Sequence, residues 1–165
     1  MNLISDGAIQ VTIAFNEDDL DIIKAQVEDI LQSSRKPLNK EEVEKFMASL
    51  KEAMVEGLTS AAVWLAKLAS DDAPIETGLL RASGSVWLNN NRIYITGGGT
   101  HPSHVDTGEL EAIIIFNTPY AFIQDTEEDY EHPRGGRAGY LTRNLTENQT
   151  LLEEMMIAPV KKALQ

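Results

Sequence analysis

The chain has 165 residues, no cysteine, and 26 Asp and Glu against 14 Lys and Arg, a formal net charge of −12. That length suits one domain able to bury about two thirds of its unfolded surface without covalent staples. The absent thiols exclude disulfides, thiolate metal sites and cysteine nucleophiles, and the acidic balance argues against a protein that grips nucleic acid by neutralising phosphates, though not against one that lets DNA pass.

Ile9, Val11, Ile13 and Phe15 alternate with Gln10, Thr12 and Ala14, the period of a half-buried strand. Asn16 is a good helix cap, and Leu20, Ile23, Val27, Ile30 and Leu31 recur at helical spacing, which predicts a helix over about 17 to 33. Ser33-Ser34-Arg35-Lys36-Pro37 reads as a connection. Asn39 with Glu42 forms a capping box for a second helix, about 40 to 70, whose apolar stripe runs through Val43, Phe46, Met47, Leu50, Met54, Leu58, Ala61, Leu65 and Leu68. Ala73 precedes Pro74 and is pushed out of the helical region, so this helix stops there. Thr77 then caps a short turn, Gly78 permits a tight approach, and Leu79 and Leu80 offer apolar surface to the core.

Beyond Ser83 the period changes to two. Ser85 to Leu88 and Arg92 to Thr96 flank Asn89-Asn90-Asn91, a hairpin signal, and the run Ala112 to Phe116 suits a central strand. The final element, about 141 to 157, places Leu141, Leu145, Leu152, Met155 and Met156 on a helix, with Pro159 closing it or starting a new turn. The fold class is therefore α+β: long helices on a mainly antiparallel sheet of about four strands, in one domain. Its parts are a strand and helices over 1–72, a sheet with long loops over 73–139, and a C-terminal helix over 140–165. Neither a leader-like N-terminus nor an apolar run of about 20 residues is present, so a soluble protein made in the cytoplasm is expected.

Two segments exceed the usual connection length and read as binding or assembly loops. The first, 97–108, holds Gly97, Gly98 and Gly99 with His101 and His104; the second, 125–139, holds Asp125, Glu127, Glu128, Asp129 and then Arg134 and Arg137. His101, His104 and Asp106 could supply a metal site of two imidazoles and a carboxylate, set against the plainer reading of a solvent-exposed loop. Ser83, Ser85 and Ser103 lack a nucleophile elbow, and the three glycines lack the lysine and hydroxyl of a phosphate-binding loop. No residue is assigned a catalytic or cofactor role. The acidic run repels DNA, docks a basic neighbour, or is simply a solvated face. Arg81 and Arg143 are candidates for carboxylate pairs across a subunit interface.

Read in order, Ala73-Pro74-Ile75-Glu76-Thr77-Gly78-Leu79-Leu80-Arg81-Ala82-Ser83, then Asn117-Thr118-Pro119-Tyr120-Ala121-Phe122-Ile123, then Gly139-Tyr140-Leu141-Thr142-Arg143-Asn144-Leu145 resembles the tail-completion or head–tail neck family of tailed bacteriophages, also called morphogenesis or minor tail proteins. Two departures stand out: Gln124-Asp125-Thr126 replaces a glutamate followed by glycine-threonine, and the 140–144 stretch lacks a proline pair. The resemblance implies a non-enzymatic virion protein, a ring of six copies between the head connector and the tail tube or terminator. DNA would pass through without specific binding. It assigns Ala73, Pro74, Thr77, Gly78, Leu80, Arg81, Ser83, Tyr120, Ala121, Tyr140, Leu141 and Arg143 to the family motif, and leaves the two long loops to carry the contacts between subunits. Two other readings compete: a metal-dependent enzyme built on His101, His104 and Asp106, and a non-viral adaptor that binds a basic protein through its acidic face.

Overall fold

The computed structural model describes residues 4–33, 38–75 and 78–165. The expected connection at Ser34, Arg35, Lys36 and Pro37, and the turn-forming Glu76 and Thr77, lie outside the described residues. Strand β1 (Ile9–Ala14) leads into α1 (Glu17–Ser33), where the Asn16 side chain accepts a hydrogen bond from the Asp19 amide. Ile23 and Val27 of α1 are buried, whereas Leu20, expected on the same stripe, is exposed.

Helix α2 (Lys40–Asp72) is 33 residues long, about 50 Å at 1.5 Å per residue. The capping box forms as expected: Asn39 Oδ1 accepts from the Glu42 amide at 2.8 Å and Glu42 Oε2 accepts from the Asn39 amide at 3.4 Å. At the other end Ala73 is extended (φ −62°, ψ 143°), as the proline after it requires. The stripe is buried only from Leu50 onward, while Met47 is 46 % exposed. In that inner part Ala53, Ala61, Ala62, Ala66 and Ala69 are small enough for neighbouring layers to approach closely. Helix α2 packs there against β2, β4 and the C-terminal helix.

A 3-10 turn over Arg81–Ser83 feeds β2 (Gly84–Leu88), which returns through β3 (Asn91–Ile95); β4 (Glu111–Phe116) follows the first long loop. The sheet has the order β1-β4-β2-β3 and every pairing is antiparallel, so the α+β class holds. Asn89 (φ 51°) and Asn90 (φ 63°) form the two-residue hairpin turn with both residues left-handed. One face of the sheet packs Val86, Leu88, Ala112, Ile114 and Phe116 into the main core with α2, while Trp87, Ile113 and Ile115 lie on the other face with Val105.

Two helical expectations need correction. An unforeseen short helix, α3 (Ala121–Thr126), takes up the start of the second long loop. The single C-terminal helix is in fact two, α4 (Thr142–Glu147) and α5 (Gln149–Ala163), broken at Asn148 (φ −111°, ψ 18°). There the Asn144 carbonyl accepts from both the Asn148 amide at 3.2 Å and the Asn148 side chain at 2.8 Å. Pro159 neither closes nor starts a turn; it sits inside α5, which runs on because buried Val160 and the packing against α2 hold the helix past the missing amide.

Candidate functional site

Several motif residues meet at one corner, where α2 gives way to the sheet. The Arg81 guanidinium donates from Nε to the carbonyl of Ala73 at 2.8 Å, satisfying the end of α2, while its own carbonyl accepts from Ser70 Oγ (2.8 Å) and Thr96 Oγ1 (2.6 Å). Arg81 is thus a brace within the chain, not a free cation at an interface. Ser83, buried, donates to the Leu80 carbonyl at 2.8 Å, and buried Ser85 accepts from the Trp87 indole at 2.8 Å, so both hydroxyls are held in the scaffold. Leu80 is buried; Leu79, expected beside it in the core, is 56 % exposed. Thr77 is outside the described residues, and Gly78 adopts φ 82° with open space around it.

The second motif group closes the same region. Tyr140 is fully buried, its hydroxyl donating to the Ala121 carbonyl at 2.7 Å and its ring meeting Phe116 edge-on at 5.4 Å. Burial first, and the charge of Asp125 second, push its ionisation far above the ordinary tyrosine range. Since the folded chain holds this proton where the unfolded chain releases it, the stabilising effect is complete below about pH 10 and is lost as pH rises beyond it. Tyr140→Phe should therefore flatten the alkaline fall in stability measured by urea unfolding. An equally steep fall in the variant would refute this. Arg137 joins the corner through its amide, which donates to the Asp72 carbonyl at 2.8 Å. Its Nη2 donates to Asn144 Oδ1 at 2.5 Å, and Asn144 Nδ2 donates to Asp72 Oδ2 at 2.8 Å. Gly136, at φ 88°, lies where a Cβ would come within 2.4 Å of Pro74 Cα, so the second loop ends pressed onto the Ala73-Pro74 stop.

The first loop is a cover for the sheet. Val105 packs on Trp87, Ile113 and Ile115, and His101 and Pro102 are buried with it. Gly97 and Gly99 are needed by close approach, since Cβ atoms there would meet Ala82 at 2.9 and 2.7 Å; Gly98 is in the open. His101 Nε2 binds the Gly97 carbonyl at 2.7 Å, whereas His104, on the exposed side, binds Asp106 at 2.6 Å. The three expected ligands are therefore divided between two sides of the loop, and no group of three or more ligand-type side chains among the described residues could hold a metal ion. Deleting this loop would uncover an apolar sheet face, so a deletion variant would report on folding before assembly.

In the second loop Asp125 is buried, not part of an acidic surface. Glu127, Asp129, Tyr130 and Glu131 are exposed, and Glu128 pairs with Arg143 at 2.6 Å within the chain rather than across an interface. Arg134 is exposed as well. Tyr120, Phe122 and Ile123 add apolar surface beside these acids, 37 %, 52 % and 46 % exposed, a patch the sequence reading missed because it overlooked α3. No family model matches this chain, and neither a curated protein nor a solved structure does.

Proposed function

We propose that the chain is a structural virion protein of a tailed bacteriophage, a tail-completion or head–tail joining component that assembles as a ring between the head connector and the tail tube. One observation carries this reading. Among the motif residues that suggested it, Leu80, Arg81, Ser83 and Tyr140 belong to the scaffold near the corner between α2 and the sheet, and the side chains of Arg81, Ser83 and Tyr140 donate to backbone carbonyls rather than face a cleft. What the fold leaves outward is acidic surface, an apolar patch on α3, and two open sheet edges, features suited to contacts between subunits. A net charge of −12 would keep passing phosphates from adhering to such a ring. No helix among the described residues is long and apolar enough to cross a membrane.

Negative-stain microscopy of the purified protein is expected to show rings with a central hole, and duplex DNA should not be retained even at low salt. Particles without a hole in every preparation would sink the ring, and firm DNA retention would sink the passive channel. A second reading, a docking protein for a basic and apolar partner, is favoured by Phe122, Ile123 and Tyr130 standing beside Glu127, Asp129 and Glu131. Salt-sensitive binding of such a partner by a chain that never forms rings would favour it. The metal-dependent enzyme has lost its support with the separation of His101 from His104 and Asp106.

A further inference from the structure

Among the described residues the sheet has two unpaired edges, β1 on one side and β3 on the other, and they are complementary in direction. With four strands and every pairing antiparallel, β1 and β3 run in opposite directions. A second copy placed head to tail would therefore set its β1 antiparallel to the first copy's β3, continuing the ladder without any change of pattern. Sheet edges are ordinarily blunted by charge, proline or a bulge. Strand β1, Ile-Gln-Val-Thr-Ile-Ala, has neither charge nor proline; β3 carries Arg92 and a bulge where its register against β2 shifts, yet still offers Ile93 and Ile95, 38 % and 39 % exposed.

The faces match as well. If Tyr94 meets Val11 of the next copy, both half-buried side chains lie toward the main core, and the bulge of β3 at Arg92–Ile93 falls opposite Thr12. Ile93 and Ile95 then fall opposite Thr12 and Gln10, all four exposed at present. A shift by one residue would set each apolar side chain on the wrong face. Charge agrees with this register. Arg92, exposed and without a carboxylate partner among the described residues, would arrive at the end of β1 where Glu17, Asp18 and Asp19 form the acidic first turn of α1. Beside β1 lies a groove of about 300 Å³ bounded by Thr12, Ala14, Leu145, Gln149 and Glu153, which sets another acid near this edge.

We propose that copies of this chain join by antiparallel pairing of β3 with the β1 of the next copy, a heterologous contact that closes into a ring when the accumulated rotation permits. The proposal rests on the ring reading above, to which it adds the contact. Cysteine cross-linking isolates it, because the chain has no cysteine of its own. Within one chain β1 and β3 are three strand spacings apart, roughly 14 Å, too far for a disulfide, so any bridge between them joins two copies.

The full-length double variants Thr12→Cys/Ile93→Cys and Gln10→Cys/Ile95→Cys alter exposed positions and cover two steps of the same register. Under mild oxidation at least one is expected to give a ladder of covalent oligomers in denaturing electrophoresis, ending at a single closed species, while each single variant gives no ladder. Rings seen in micrographs while both double variants stay uncross-linked would overturn the edge pairing and leave the neck reading intact. A ladder without rings would support the pairing and remove the ring. A dimer from Thr12→Cys alone, or from Ile93→Cys alone, would overturn the proposal in favour of a two-fold contact between like edges.

Discussion

Gly57→Ala is expected to lower stability by about 3 kcal/mol, although alanine is the better helix former by about 1 kcal/mol. Gly57 lies in the buried part of α2, against the backbone of α5. A Cβ there would sit 2.0 Å from the Met156 carbonyl oxygen and 2.8 Å from its carbon, where ordinary contact begins near 3.4 Å. The obstacle is main chain, so no rotamer change relieves it, and α5 must withdraw together with Leu152, Met156 and Val160, all of which are buried. The overpacking term thus exceeds the propensity gain. Thermal unfolding followed by circular dichroism should show a midpoint lower by roughly 6–12 °C for a domain of this size. Gly98→Ala, which meets nothing within 4 Å, is the control and should change little. A Gly57→Ala midpoint equal to that of wild type would mean that α2 and α5 are not packed this closely.

The long helix was legible because three local signals agreed: a capping box at Asn39, an apolar stripe, and a proline after Ala73. Agreement of that kind is what lets sequence specify structure. The break at Asn148 was not legible, since Asn144 and Asn148 both lie within the apolar helical spacing and the sequence does not say at which of them the helix is interrupted. Pro159 misled for a related reason. Packing against α2 offsets the lost amide, and that packing is long-range.

The loops show a subtler limit. Length alone marked 97–108 as an assembly loop, yet β4 carried the contrary signal: Ala112 to Phe116 is apolar without alternation, which requires a cover on both faces. Helix α2 supplies one cover and Val105 with its neighbours supplies the other. Asp125 had a fainter mark. Ala121 and Asp125 are one helical turn apart, and both are buried, but this spacing is informative only once α3 is recognised. The open edges of β1 and β3 could not be read at all before strand order was known.

Asp125→Ala should cost about 3 kcal/mol and Asp125→Asn about 1, a gradation that follows from what the carboxylate holds. Its Oδ1 accepts from the amides of Leu141 at 2.8 Å and Thr142 at 3.2 Å, and its Oδ2 from the Thr142 hydroxyl at 2.6 Å. It is a remote cap for α4, whose own cap residue, Leu141, has no side-chain acceptor, and a negative charge suits that end of a helix. Alanine leaves a buried amide without an acceptor. Asparagine keeps one oxygen for the amides and can donate to the threonine oxygen, so it loses mainly the charge. Urea unfolding of the two variants measures the gradation, and an alanine variant within about 0.5 kcal/mol of wild type would show that water replaces the cap. Because Asp125 is also the second cause raising Tyr140, Asp125→Asn should make the alkaline fall in stability smaller, its onset staying near pH 10 where the unfolded tyrosine ionises. An assembly defect in Asp125→Ala would then report a damaged fold rather than a lost contact. The contacts of this loop are tested at the exposed Glu127, Asp129 and Tyr130, where substitution leaves the cap in place.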